Sequence, residues 1–138
     1  MSKGPFLLAA LVCESITVES GEPPRVTLNG LYDDRSIGVN RRPTAREPAI
    51  RSLVLFLKLA AGGATGSVPF EIVHTSPAGK TWRLLGGEAH FDGPDTVHTS
   101  NLALKLDLSE SGAHALGVRL GGALLTRVPL RVEVVQAH

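Results

Sequence analysis

The sequence predicts an all-β chain folded as a single-domain antiparallel two-sheet β-sandwich of about eight strands. Three observations predict it. Apolar residues recur at every second position in one run after another, glycine and proline cluster between the runs, and no segment carries a helical period with caps. A length of 138 residues suits one domain with its own core, so residues 1–138 are read as one sandwich.

The first run, Phe6–Val18, is apolar as far as Cys13 and then alternates through Ser15, Ile16, Thr17 and Val18. Lys3 ahead of it also fits a short export or lipoprotein signal. The run is too short to span a bilayer, Pro5 shortens it further, and Ala10 and Val12 suit lipoprotein cleavage poorly. A buried first strand is therefore expected. Gly21-Glu22-Pro23-Pro24 turns the chain into a second strand, Arg25–Asp33. Residues 34–49 contain Gly38, Pro43 and Pro48, which oppose a helix, and are read as a long arginine-rich loop.

In Ile50–Ala60, Leu53, Leu55, Leu57 and Leu59 share one face while Val54 and Phe56 occupy the other. That pattern predicts a central strand covered on both sides. Pro77-Ala78-Gly79-Lys80 separates Val68–Thr75 from Thr81–Phe91, and Asp92-Gly93-Pro94-Asp95 precedes Val97–Leu108, whose alternate leucines 102 to 108 mark one dry face. Gly121-Gly122 reads as a two-residue hairpin turn between Ala113–Leu120 and Ala123–Val135. Pro69 and Pro129 lie on the wet parity of their strands. Neither can donate a ladder hydrogen bond, so both predict sheet edges or bulges and favour an open sandwich over a closed barrel.

Composition narrows the function classes. The net charge of +1 offers no general attraction to nucleic acid or acidic membranes. An aromatic content of 4% argues against base-stacking sheets and ring-lined carbohydrate platforms. The lone Cys13 excludes an internal disulfide framework and points to a reducing, cytoplasmic setting. Embedded in an apolar strand, its thiol is read as packing.

Two stretches carry a family resemblance. The opening strand through Cys13-Glu14, a turn, and then Val26-Thr27-Leu28-Asn29-Gly30-Leu31-Tyr32-Asp33 resembles the start of an uncharacterised bacterial family of small immunoglobulin-like β-sandwich proteins. In that family the first hairpin ends in a Leu-x-Gly-apolar-aromatic-Asp signature. Gly112–Leu120, the Gly-Gly turn and Arg127–Val132 resemble its final hairpin. The resemblance implies the fold and no activity.

Candidate sites are few. His90, Asp92, Asp95 and His98 are all metal-ligand types in one turn region. If Glu88–Phe91 paired with Val97–Thr99 as a hairpin, the two histidines would approach across it. The spacing matches no established metal motif, and Asp-Gly-Pro-Asp is common turn sequence. No Gly-x-Ser-x-Gly marks a nucleophile, and Gly62-Gly63-Ala64-Thr65-Gly66 lacks the Lys-Ser/Thr and the helix of a phosphate loop. His114 falls on an apolar parity and is read as a packed side chain, and the single Trp82 is expected near the sandwich centre. Arg35, Arg41, Arg42 and Arg46 make the 34–49 loop the best candidate for contacting a partner through guanidinium forks. With no aromatics between them, a protein is favoured over nucleic acid.

The sequence therefore reads as a non-catalytic interaction or structural module without a cofactor, acting through loops or sheet edges. Its expected partner is another protein or a second copy of itself, with homodimers and subunits of larger phage or secretion assemblies among the cases. The alternative is a small-ligand or metal-binding protein, even a hydrolase, built on the His90–His98 region.

Overall fold

A computed structural model describes residues 4–32, 37–41 and 46–136. The strands are β1 (Phe6–Glu19), β2 (Arg25–Tyr32), β3 (Ile37–Arg41), β4 (Ile50–Ala60), β5 (Gly66–Thr75), β6 (Thr81–Phe91), β7 (Val97–Asp107), β8 (Gly112–Leu120) and β9 (Ala123–Gln136). One sheet has the order β2-β1-β4-β7 and the other β3-β9-β8-β5-β6. No helix long and apolar enough to cross a membrane occurs among the described residues.

The core follows from the alternation. Leu53, Leu55, Leu57 and Leu59 of β4 and Leu104 and Leu106 of β7 are buried from one side. Phe70, Ile72, Leu116, Val118, Leu130 and Val132 meet them from the other sheet. Each fully buried leucine contributes roughly 1.5–3 kcal/mol by removing apolar area from water. Sequential order places β4 and β7 in one sheet and β9-β8-β5-β6 in the other. This is the B, E and G, F, C, C′ arrangement of an immunoglobulin-like sandwich. The β8–β9 hairpin closes on Gly121 and Gly122 at φ of 59° and 86°, with Leu120 opposite Ala123. Two consecutive positive φ angles define the type I′ turn that matches strand twist.

Four expectations change. The 34–49 segment is not one loop: Ile37–Arg41 forms β3, which pairs parallel to β9 from Val132 to Gln136. Ile37 and Val39 enter the core there. Val54 and Phe56 are only half-buried, so β4 is central but its outer face is incompletely covered. β6 and β7 belong to different sheets, so residues 92–96 cross between sheets and do not close a hairpin. Pro69 and Pro129 sit in strands that have neighbours on both sides. On one flank of each, however, the strand ladder stops short: β8 pairs with β5 only from Phe70 onward, and β3 reaches β9 only at Val132. On that flank a missing N–H costs no strand ladder bond among the described residues, although the Pro69 carbonyl still accepts the Gly121 N–H at 2.8 Å.

β1 bridges two environments. It pairs with β4 from Phe6 to Cys13 and with β2 from Val12 to Glu19. Past Cys13 it leaves β4 and continues with β2 alone, as a two-stranded ribbon at the end of the sandwich where β4 begins.

Candidate functional site

At that same end, β5 turns into β6 and β7 passes into β8. Ser76 and Lys80 close the first turn: the Ser76 N–H donates to the Lys80 carbonyl at 2.8 Å and the Lys80 N–H donates to Ser76 Oγ at 3.1 Å. The second turn is organised by Asp107. Its Oδ1 accepts from the Ser109 N–H at 3.1 Å and from the Ser109 hydroxyl, while Ser109 Oγ accepts the Ala49 N–H at 2.8 Å. Between the turns lies an open cleft of about 480 Å³, with Lys80, Trp82, Asp107, Glu110 and His114 among its walls.

Two histidines lie beneath this region, His114 lining the cleft and His74 buried behind it. His74 continues the Phe70-Ile72 parity of β5, and His114 precedes Leu116 and Val118 on the dry parity of β8. Because β5 and β8 are neighbours, both rings point into the same interior and are buried, at 0% and 2% exposure. His74 Nε2 and His114 Nδ1 lie 2.9 Å apart, and the rings stack at 5.1 Å. His114 Nε2 lies 2.7 Å from the Glu110 carbonyl.

A carbonyl can only accept, so His114 Nε2 carries the proton and, in the neutral ring, Nδ1 is the acceptor. The His74 Nε2–H must then donate to it. This leaves His74 Nδ1 as a bare lone pair, and it has no partner among the described residues. Trp82 packs against His74 with ring centroids 4.5 Å apart. Burial first, and the neighbouring His114 second, push the His74 pKa down to about 4 against the opposing Asp107 carboxylate. Both nitrogens of His114 are spent, and the free lone pair of His74 is sealed from solvent. In this closed arrangement neither ring presents a proton or a lone pair to the cleft.

The polar site expected from sequence is assembled only in part. His90 Nε2 meets Asp92 Oδ1 at 2.9 Å and His90 Nδ1 meets Ser67 Oγ at 3.0 Å. His98 turns instead to Ser100 Oγ at 2.6 Å, its Nδ1 accepting the backbone N–H of His90 at 3.4 Å. Burial first, and His90 second, lower the pKa of His98. Asp95 is exposed in the connection. Among the described residues no three His, Cys, Asp or Glu side chains converge on a metal position, because the hairpin that would have gathered these four does not form. Ser67, His90 and Asp92 do align as a hydroxyl–imidazole–carboxylate chain. With His90 60% and Asp92 85% exposed, water screens every link of it.

The arginine segment divides. Arg35 and Arg42 lie outside the described residues, Arg41 ends β3, and Arg46 is exposed ahead of β4. Trp82 is half-buried at the cleft and not at the sandwich centre, since its strand β6 is an outer strand. Cys13 is fully buried, its Sγ donates to the Ser15 carbonyl at 3.4 Å, and burial raises its pKa, as a packing thiol requires.

Two functional-looking residues escaped the sequence reading. Arg51 occupies the leucine parity of β4. Its Nη1 donates to the Gly38 carbonyl at 2.8 Å and Nη2 to Tyr32 Oη at 3.4 Å, while the Tyr32 hydroxyl donates to Glu14 at 3.4 Å. It thereby ties both sheets together beside the ribbon. His74 is the other. The legible signal was the same in each case: a polar residue standing where its strand demands an apolar one.

No family model matches the chain, and no curated protein matches it. Similar solved structures include β-glucosidase 3B from Thermotoga neapolitana, at 11% identity and a TM-score of 0.50, aligned over 89% of this chain and 16% of that one. An alkylpurine DNA glycosylase from Pseudomonas fluorescens aligns over 90% of this chain and 30% of its own, at 12% identity and a TM-score of 0.41. An immunoglobulin-like protein from Pseudomonas aeruginosa aligns over 88% and 96%, at 17% identity and a TM-score of 0.34. This chain therefore spans only a small part of the first two proteins, and at such identities the likeness speaks of fold alone.

Proposed function

We propose that this chain is a non-catalytic interaction module that associates with a second copy of itself along the β1–β2 ribbon. One observation carries the reading. Of the ten exposed large apolar side chains among the described residues, six lie on these two strands: Phe6, Leu8, Leu11, Val18, Val26 and Leu31. Phe6, Leu8 and Leu11 precede the ribbon and Val18, Val26 and Leu31 lie on or beside it, so exposed apolar area gathers along these two neighbouring strands, as at an interaction surface.

β2 is also an outer strand, and among the described residues no strand pairs with its far flank. Over Arg25–Tyr32 it carries no proline and no lysine, and its only charge is at the first position. Natural outer strands are guarded by such residues, and this one is not. A two-fold axis beside β2 would set two copies antiparallel and extend one sheet through both molecules. Val26 and Leu31, on opposite faces, would then gain neighbours on both sides of the joint.

Light scattering during size-exclusion over a concentration series tests this. The expected result is a dimer, with dissociation at least tenfold easier in a Val26→Lys/Leu31→Lys variant of unchanged circular dichroism. A monomer at every concentration, or a dimer indifferent to the substitutions, overturns it.

A second reading is a small ligand held in the cleft. Its volume of about 480 Å³ lies in the range of ligand pockets, and Trp82 gives it one flat apolar wall. Fluorescence of that single tryptophan would report occupancy.

A further inference from the structure

We infer that His74 and His114 form a proton-operated latch that fastens the Glu110 turn to the β5–β6 hairpin and so holds one wall of the cleft. The inference is independent of self-association through the ribbon. It starts from the hydrogen-bond chain, which runs from His74 Nε2 to His114 Nδ1 at 2.9 Å and from His114 Nε2 to the Glu110 carbonyl at 2.7 Å. The two links require a neutral His114, whose Nδ1 must accept and whose Nε2 must donate, and the buried, unpartnered Nδ1 of His74 favours the neutral ring there too.

An added proton has two places to go, and the closed pair accommodates neither. On His114 Nδ1 it would set two N–H groups against each other across the 2.9 Å contact. On His74 Nδ1 it would create a buried cationic donor with no acceptor among the described residues. An unpaired buried charge is among the costliest features a fold can carry.

The surroundings leave one exit. On β6, Trp82 covers the His74 ring and brings no charge of its own. On β8 the neighbouring titratable group is His114 itself. The Cα partner of His114 on β9 is the apolar Leu130. Asp107, at the end of β7, is the carboxylate that favours a charged His74. It lines the cleft together with Glu110 and Lys80. A protonated ring is therefore drawn toward the cleft, where water and Asp107 can solvate it. Its movement gives up the bond to His114 and with it the hold on the Glu110 turn. Acid thus opens the cleft wall while the leucine core, which has no titratable member, stays closed.

The chain carries a single tryptophan, and its ring lies 4.5 Å from His74. A cationic imidazole at that distance quenches indole emission, so Trp82 reports the state of the latch. The test follows Trp82 fluorescence and far-ultraviolet circular dichroism together from pH 7 downward, with hydrogen exchange across residues 108–112 at each pH. The expected result is a loss of emission with a midpoint at about pH 4. Exchange at 108–112 should quicken while strand signal persists. The emission step should vanish in His74→Phe and shift in His114→Gln, so a folding failure of one variant leaves the other to decide. Emission that stays flat, that falls only together with the strand signal, or that falls equally in whichever variant folds, overturns the latch.

Discussion

The β5–β6 hairpin carries a histidine cluster at each end, and the two behave as opposites. At one end His74 meets His114 in a dry interior, where the hydrogen bonds require a neutral His114 and burial favours a neutral His74. At the other, His90 bonds Ser67 and Asp92 in open water. Residue types and distances are similar. Position in the alternation separates them: His74 stands on the inward parity with Ile72, and His90 faces outward beside the inward Ala89 and Phe91. The same chemistry is structural where solvent is excluded and nearly weightless where it is not.

The sharpest way to break this contrast is His114→Ala. It removes the acceptor for His74 and the donor to Glu110, and it opens a cavity in the floor of the cleft. A loss of about 2–4 kcal/mol is expected in urea unfolding, and a loss under 1 kcal/mol would place the dry cluster on a level with the wet one.

A pH series of unfolding free energies sharpens it next. His74 titrates lower in the folded protein than in the unfolded chain, from the usual 6.5 to about 4. Between those values the unfolded chain binds the extra proton, so stability is complete above pH 6.5 and declines as pH falls toward 4. At about 1.4 kcal/mol per pH unit, the window is worth on the order of 3 kcal/mol. His74→Phe should flatten that part of the profile, and a slope unchanged in the variant would assign it to other groups.

The smallest effect belongs to the exposed cluster. His90→Ala and Asp92→Ala should each shift stability by less than about 0.5 kcal/mol. A larger loss would mean that the Ser67–His90–Asp92 chain holds the crossing between sheets, which its exposure argues against.

Much of the architecture could be read before any coordinates, because period-two burial is a local property. Ile50–Ala60 and Thr81–Phe91 begin and end where alternation and turn residues place them, and Gly121-Gly122 makes the expected turn. Only the tertiary fold decided which strands share a sheet. β6 and β7 are consecutive yet separate, so His90 and His98 meet across a sheet boundary. β3 was hidden because five residues alternate too briefly to stand out, and because its ladder depends on β9, far along the chain. The alternation put His114 in a dry register, and the same signal, though missed, stands at His74 and Arg51. That the two histidines bond each other, while Arg51 reaches Gly38 and Tyr32, depends on which strands lie side by side. Alternation is set by the geometry of one strand, and partnership by the packing of all of them.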